Sequence, residues 1–178
     1  ELAFRNSEKK LNATLKKDIE KTNRDLAIRK TRQKHWFEKF YWFISSENYL
    51  VIAPKDTLQL EMIYYKYFNS KHDYYVSSDI EGSLQVFVKN PYAGQKVPPS
   101  TLNQAGMFSL SASKAWSSNI LTPAWYAEGI RVTKKDPHDG SLLPDGILDI
   151  IGEKLFLPPT QLSMGLGLCW VIGDEGRL

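Results

Sequence analysis

Residues 34–42 set Lys34, His35 and Lys39 among Trp36, Tyr41 and Trp42. Ammonium groups that can pair with phosphate thus stand beside ring faces that can stack on bases. Phe37, Phe40 and Phe43 bring the segment 36–43 to six aromatic residues in eight positions. The same rings can bury much apolar area, at about 25 cal/mol per Å², so the stretch is expected to anchor a core with most of its rings inside. Just before it, Arg29, Lys30, Arg32 and Lys34 cluster with no acid between them. That cluster reads either as a phosphate-binding stripe or as the solvated face of a charged helix. Lys55, Lys89, Lys134 and Lys135, in loops and at strand ends, complete the candidate cations. Lys89 stands at a strand end beside a Gly-containing loop, where it can reach a phosphate.

Other chemistry finds little support. His35, His72 and His138 are dispersed, none at helical spacing from another and none near Cys169, so a zinc site is not expected. The glycines of Met164-Gly165-Leu166-Gly167-Leu168 lie in an apolar run without the polar helix that a phosphate loop requires. Ser45, Ser46, Ser77 and Ser78 lack a nucleophile-elbow context. Asp79 and Glu81 could hold a cation or act as a base, but two solvated turn carboxylates account for them better. No catalytic residue, metal or cofactor is expected.

The elements that must position these residues follow from composition. The chain has 178 residues, 42% hydrophobic and 12% aromatic, enough for one domain with a sizeable core. Residues 1–35 hold 11 Lys and Arg against 5 Asp and Glu, net +6, while residues 36–178 hold 12 against 15, net −3. The basic character belongs to the N-terminal arm. A single cysteine excludes an internal disulfide and suits a reducing compartment. No apolar run is long enough to span a membrane and no signal-peptide pattern occurs. The chain starts inside a charged helical pattern and reads as part of something longer.

Residues 1–34 contain no Pro or Gly and predict one long helix, with a thin seam of Phe4, Leu11, Leu15, Ile19, Leu26 and Ile28 that needs a partner helix. A hairpin turning at Ser46-Glu47-Asn48 follows. Asp56-Thr57-Leu58-Gln59 has capping-box spacing and starts a helix to about Phe68, with Leu58, Met62 and Tyr65 on its expected core face. Strands are expected at 73–76 and 84–89. A small-residue helix capped by Ser100 or Thr101 should run to about Trp116 and lie close against the sheet. Further strands are expected at 125–134, 146–151, 154–157 and 165–172. Two helices among seven or eight strands indicate α+β, with a mixed, mainly antiparallel sheet.

The order of motifs resembles the NFACT-R domain. Trp36 to Ile52 looks like its opening signature. Asp56…Gln59…Glu61, Tyr75 to Asp79 with Gly82-Ser83, Val88-Lys89-Asn90-Pro91, Pro98 to Gly106, Ala115-Trp116 and Phe156-Leu157-Pro158-Pro159 follow in sequence. The match covers about residues 30–173 and is closest to the eukaryotic branch, with a fungal flavour. The resemblance implies residues 1–34 as the returning arm of a coiled-coil hairpin, 35–173 as the NFACT-R domain, and 174–178 as a truncated tail. Where the family commonly has Gln-Asn-Glu and His-Ala-Asp, this chain has Gln59-Leu60-Glu61 and Ser77-Ser78-Asp79. Those departures weaken any nuclease-like or base-reading role for that loop.

The resemblance also implies a cytoplasmic, ribosome-associated factor that binds tRNA, rRNA and large subunits carrying stalled nascent chains. Such a factor supports recruitment of an E3 ubiquitin ligase and template-free C-terminal addition of alanine and threonine. The family's residues for tail addition lie in a domain outside this sequence, so none is carried over. The expectation is a non-enzymatic RNA-binding module. The rival reading is a protein-interaction scaffold that docks the family's own N-terminal domain or a second copy, and an enzyme acting on nucleic acid ranks third.

Overall fold

Residues 50–53, 74–77 and 86–89 read as nearly unbroken apolar runs, the pattern of strands covered on both faces. The computed structural model, which describes residues 13–24, 34–92, 94–118, 122–136, 139–163 and 165, bears this out. Strands β1 (Tyr41–Ile44), β2 (Leu50–Ala53), β3 (Tyr74–Ser77), β4 (Val86–Lys89), β5 (Trp125–Glu128) and β8 (Leu155–Phe156) form one sheet in the order β1-β2-β4-β3-β5-β8. Every pairing in it is antiparallel. A separate ribbon pairs β6 (Val132–Thr133) with β7 (Asp149–Ile150).

Side chains alternate across the sheet into two cores. Val51, Ala53, Tyr74, Val76, Val86 and Val88 face helix α3 (Pro99–Ser111), together with Leu102, Ala105 and Leu110 of that helix. Ile52, Tyr75, Phe87, Trp125 and Ala127 face the opposite way, onto Leu60 of helix α2 (Thr57–Met62) and Ile63 of the π turn Ile63–Tyr67. The expected α+β class and mainly antiparallel sheet are therefore found. A further short helix, α4 (Ala115–Ser118), follows α3. The close approach expected of α3 is also present: a Cβ on Gly106 would come within 2.8 Å of Leu157 Cδ1 and 3.0 Å of the Ala124 Cβ.

Three local expectations are corrected. Of the six aromatic residues between Trp36 and Phe43, only Phe40 is buried, while Trp36, Tyr41 and Trp42 are exposed. The reason is that β1 comes first in the sheet order, so the segment contacts the core along one side only. The core face of α2 is Leu60 and Ile63, whereas Leu58, Met62 and Tyr65 are exposed at 76%, 39% and 67%. Apolar residues surround that helix on all sides, so periodicity alone could not choose the buried face. Helix α3 ends at Ser111, short of Trp116, and its N-terminus is capped from afar: Thr101 N–H donates to Glu47 Oε2 at 3.2 Å and Thr101 Oγ1 to the same oxygen at 2.7 Å. Hydrogen bonds from the Ser100 and Thr101 side chains hold the Glu47 carboxyl below its usual range.

Helix α1, residues 13–24, belongs to a unit distinct from Phe37–Met164, and its seam residues Leu15 and Ile19 are exposed. The rest of the expected arm helix lies outside the described residues, as does nearly all of the strand expected at 165–172. No helix among the described residues is long and apolar enough to cross a membrane.

Candidate nucleic-acid interface

Helix α2 starts where Asp56, extended at φ −151° and ψ 172°, accepts a hydrogen bond from Gln59 N–H at 2.7 Å. Gln59 in turn ties two chain segments together: its Oε1 accepts from Lys55 N–H at 3.1 Å and its Nε2 donates to the Lys39 carbonyl at 3.4 Å. Tyr41 pairs with Ala53 across the β1–β2 hairpin. Lys39 and Lys55 therefore emerge together at the open end of the hairpin, beside α2.

Their side chains lie on aromatic rings. Lys55 Nζ sits 5.2 Å from the Tyr41 ring centre, and Lys39 Nζ sits 5.0 and 4.9 Å from those of Phe40 and Tyr67. Lys39 also donates to Tyr67 Oη at 3.1 Å and to Met62 Sδ at 2.9 Å, and Lys66 covers the other approach to Tyr67 at 5.5 Å. The hydrogen bond from Lys39 pulls the Tyr67 hydroxyl below its usual range, helped by the charges of Lys39 and Lys66. Trp42, 43% exposed, stands edge-on to Phe37 at 4.9 Å. Lys39 and Lys66 meet at the Tyr67 ring, while Lys55 lies on the exposed Tyr41, so each ammonium group stands where it can pair with a phosphate beside a ring face. Sequence reading missed Lys66 and Tyr67 and set Met62 on the core face. Their only sequence signal was the wrong periodicity, because the π turn shifts the helix face midway.

Of the nine candidate cations, Lys39 and Lys55 are brought together here. Lys34 is exposed, and Lys135 is exposed beyond β6. Arg29, Lys30 and Arg32 lie outside the described residues. Two candidates are corrected. Lys134 is buried, and its Nζ bonds to Glu61, to the Pro144 carbonyl at 2.9 Å and to the Ile147 carbonyl at 3.2 Å. All three of its protons are used. Lys89 pairs with the buried Asp73 and donates to the Tyr67 carbonyl at 2.5 Å. Desolvating a cation is favourable only when it is paired in this way, so both lysines hold the fold together. The loop carboxylates also hold lysines. Asp79 accepts from Lys154 at 2.6 Å and from Trp125 Nε1 at 2.9 Å, and Glu81 accepts from Lys114 at 2.6 Å. No group of three His, Cys, Asp or Glu side chains among the described residues is placed to hold a metal ion.

The Glu61–Lys134 pair gives a pH prediction. Burial acts to raise the Glu61 carboxyl, but the Lys134 hydrogen bond, the Gly146 N–H and the Lys134 charge together hold it below its usual range. A carboxylate lowered on folding stabilises the native state above its unfolded pKa, and that contribution fades as pH falls through the folded value. Glu61→Gln is therefore expected to cost most stability at neutral pH. In urea melts its gap from the unaltered chain should narrow below about pH 4. A gap that stays constant from neutral to acid would show that the pair is not ionised in the fold.

Comparison with known proteins agrees with this architecture. A family model described as "NFACT protein RNA binding domain" matches residues 39–152. The chain is 41% identical over 175 residues to the human ribosome quality control complex subunit NEMF, covering 98% of this chain and 16% of that protein. It is 38% identical over 177 residues to ribosome quality control complex subunit 2 of Saccharomyces cerevisiae, again covering 98% and 16%. It is 30% identical over 155 residues to the archaeal Rqc2 homolog aRqcH of Methanocaldococcus jannaschii, covering 87% and 22%. The chain thus spans about one sixth of the length of its eukaryotic relatives. The C-terminal part of the fibronectin/fibrinogen-binding protein from Streptococcus suis shares the fold, with a TM-score of 0.52 at 19% identity over 74% of this chain and 50% of that one. A sheet sandwiched between α3 and α2, built on these motifs and matched along most of its length, makes this chain a member of the NFACT family, of which it carries the RNA-binding domain.

Proposed function

We infer that this chain is the RNA-contacting module of a ribosome quality-control factor, and that it grips structured RNA through the Lys39–Lys55–Lys66 surface. The observation that carries this reading is the Gln59 clasp, which ties Lys39 and Lys55 to the start of α2 beside the half-buried Tyr67 and the exposed Tyr41. Such a surface suits backbone phosphates and unstacked bases and reads little sequence. By likeness to the relatives, the whole protein acts in the cytoplasm on large ribosomal subunits with stalled nascent chains. There it binds tRNA and rRNA, supports E3 ligase recruitment and directs template-free C-terminal addition of alanine and threonine. In that scheme the module binds and positions, and the ribosome's own peptidyl-transfer centre does the chemistry.

The test is fluorescence anisotropy of labelled deacylated tRNA with the 178-residue chain across a salt series. Three phosphate contacts predict a log–log salt slope of about −2 to −3. No binding at low salt by the folded chain would overturn the reading. A second reading, docking of another domain of the same protein or of a second copy, is favoured by the exposed Tyr41, Trp42 and Ile44 on β1. Self-association in sedimentation experiments, without RNA binding, would support it.

A further inference from the structure

A second concave surface opens where three loops meet at the start of β3. Residues 70–74, Asn90, 94–96 and 128–130 bound a cleft of about 180 Å³. The buried Asp73 builds it. Its carboxylate accepts from Asn69 N–H at 2.7 Å, from Asn90 N–H at 3.0 Å and from Lys89 Nζ, and so locks the first loop to the second. Asn90 Nδ2 donates to the Gln95 carbonyl at 2.7 Å, which sets the path of the second loop toward Lys96. The third loop is clamped from beneath. Gly129 N–H donates to the Asp73 carbonyl at 2.8 Å, and a Cβ on Gly129 would lie 2.6 Å from that oxygen and 2.9 Å from the Ser70 carbonyl. The walls are therefore preorganised by a hub that is itself removed from solvent.

Two lysines and a histidine on these loops are uncommitted. Lys71, His72 and Lys96 line it. None of their side chains makes a hydrogen bond or ion pair among the described residues. Lys89, Lys114, Lys134 and Lys154, in contrast, are each held by a carboxylate. Glu128 is the one uncompensated carboxylate on the wall, so two ammonium groups stand against a single negative charge. Unpaired donors around a small polar cleft favour an anion with several acceptor oxygens. We propose that this cleft binds a backbone phosphate of the RNA through Lys71, His72 and Lys96, as a second contact beyond the Lys39–Lys55–Lys66 surface. The helical and π segment from Thr57 to Tyr67 leads from one site toward the other, because Lys89 joins the Tyr67 carbonyl to the Asp73 hub. An RNA that follows this segment meets cations at both of its ends.

This proposal rests on the RNA-binding reading, and two measurements on the full 178-residue chain separate them. In the first, lysine acetylation is mapped by mass spectrometry with and without bound deacylated tRNA. Lys71 and Lys96 should be protected severalfold, while Lys114, held by Glu81, should not change. In the second, Lys71→Gln/Lys96→Gln should weaken tRNA binding about tenfold near 0.1 M salt and flatten the salt slope by about 1.5. Lys71→Arg/Lys96→Arg should keep both near the unaltered values. If the unaltered chain binds tRNA but Lys71 and Lys96 stay fully reactive, or the glutamine variant binds as well as the original, the cleft assignment is wrong while the first surface stands. Failure of the unaltered chain to bind tRNA removes both.

Discussion

Replacing Asp73 with alanine lowers the stability of this domain by an expected 3–5 kcal/mol, roughly the cost of leaving one partner of a buried ion pair alone. Asp73 is 2% exposed, and its carboxylate satisfies two backbone N–H groups and the Lys89 ammonium. The substitution removes a charge whose partner stays half-sheltered and leaves the Asn90 N–H without its acceptor, which accounts for about 1–3 kcal/mol of that loss if no water enters. In a domain of this size, 1 kcal/mol shifts the midpoint by about 2–4 °C, so a fall of roughly 10–15 °C in thermal melts is expected. Asp73→Asn should fall in between, because an amide oxygen can still accept from Asn90 while the attraction to Lys89 is lost. A change below about 1 kcal/mol for the alanine variant would show that the three loops are held by packing alone.

Reversing the charges of Lys39, Lys55 and Lys66 to glutamate should have the largest effect on RNA binding. Each lysine that pairs with a phosphate contributes about 0.7–0.9 to the salt slope. Losing three contacts and adding three repulsions should therefore lower affinity for tRNA by more than about a hundredfold at low salt and leave a nearly flat slope. The fold should tolerate the change. All three side chains lie at the surface, where an exposed cation–π contact is worth about 0.5–1 kcal/mol. Anisotropy titrations paired with thermal melts of the same samples separate the two effects. Intact binding by a folded triple variant would move the RNA contacts away from this surface.

Much of the fold was legible because its signals are local. The apolar runs at 50–53, 74–77 and 86–89, the turn at Ser46-Glu47-Asn48 and the small residues of α3 each follow from neighbours in sequence. The turn even shows why its residues suit it: Asn48 takes a left-handed φ of 64°. The motif residues that carried the family resemblance mostly turn out to fasten elements together. Asp56 and Gln59 cap α2 and clasp the hairpin, Glu47 caps α3, and Gln104 Nε2 donates to Ser46 Oγ at 2.7 Å.

The interface was legible only in part, for a reason that concerns pairing. A lysine's charge is written in the sequence, but whether that charge is free depends on what lies beside it in space. Lys39 could be named as a cation near rings and Lys55 as one in a loop, and both proved to be on the surface. Lys89 and Lys134 looked equivalent, yet their carboxylates, Asp73 and Glu61, are 16 and 73 residues away in the chain. Lys71 and Lys96 drew no notice, since nothing local sets them apart until the Asp73 hub brings their loops to one cleft. The sequence by itself determined the family, the α+β class and the places of the main strands, because these rest on residue order, apolar patterning and turn chemistry. Which face of α2 is buried, which rings stay exposed and which lysines remain unpaired were decided only by the tertiary structure, because burial and ion pairing depend on distances between segments far apart in the chain.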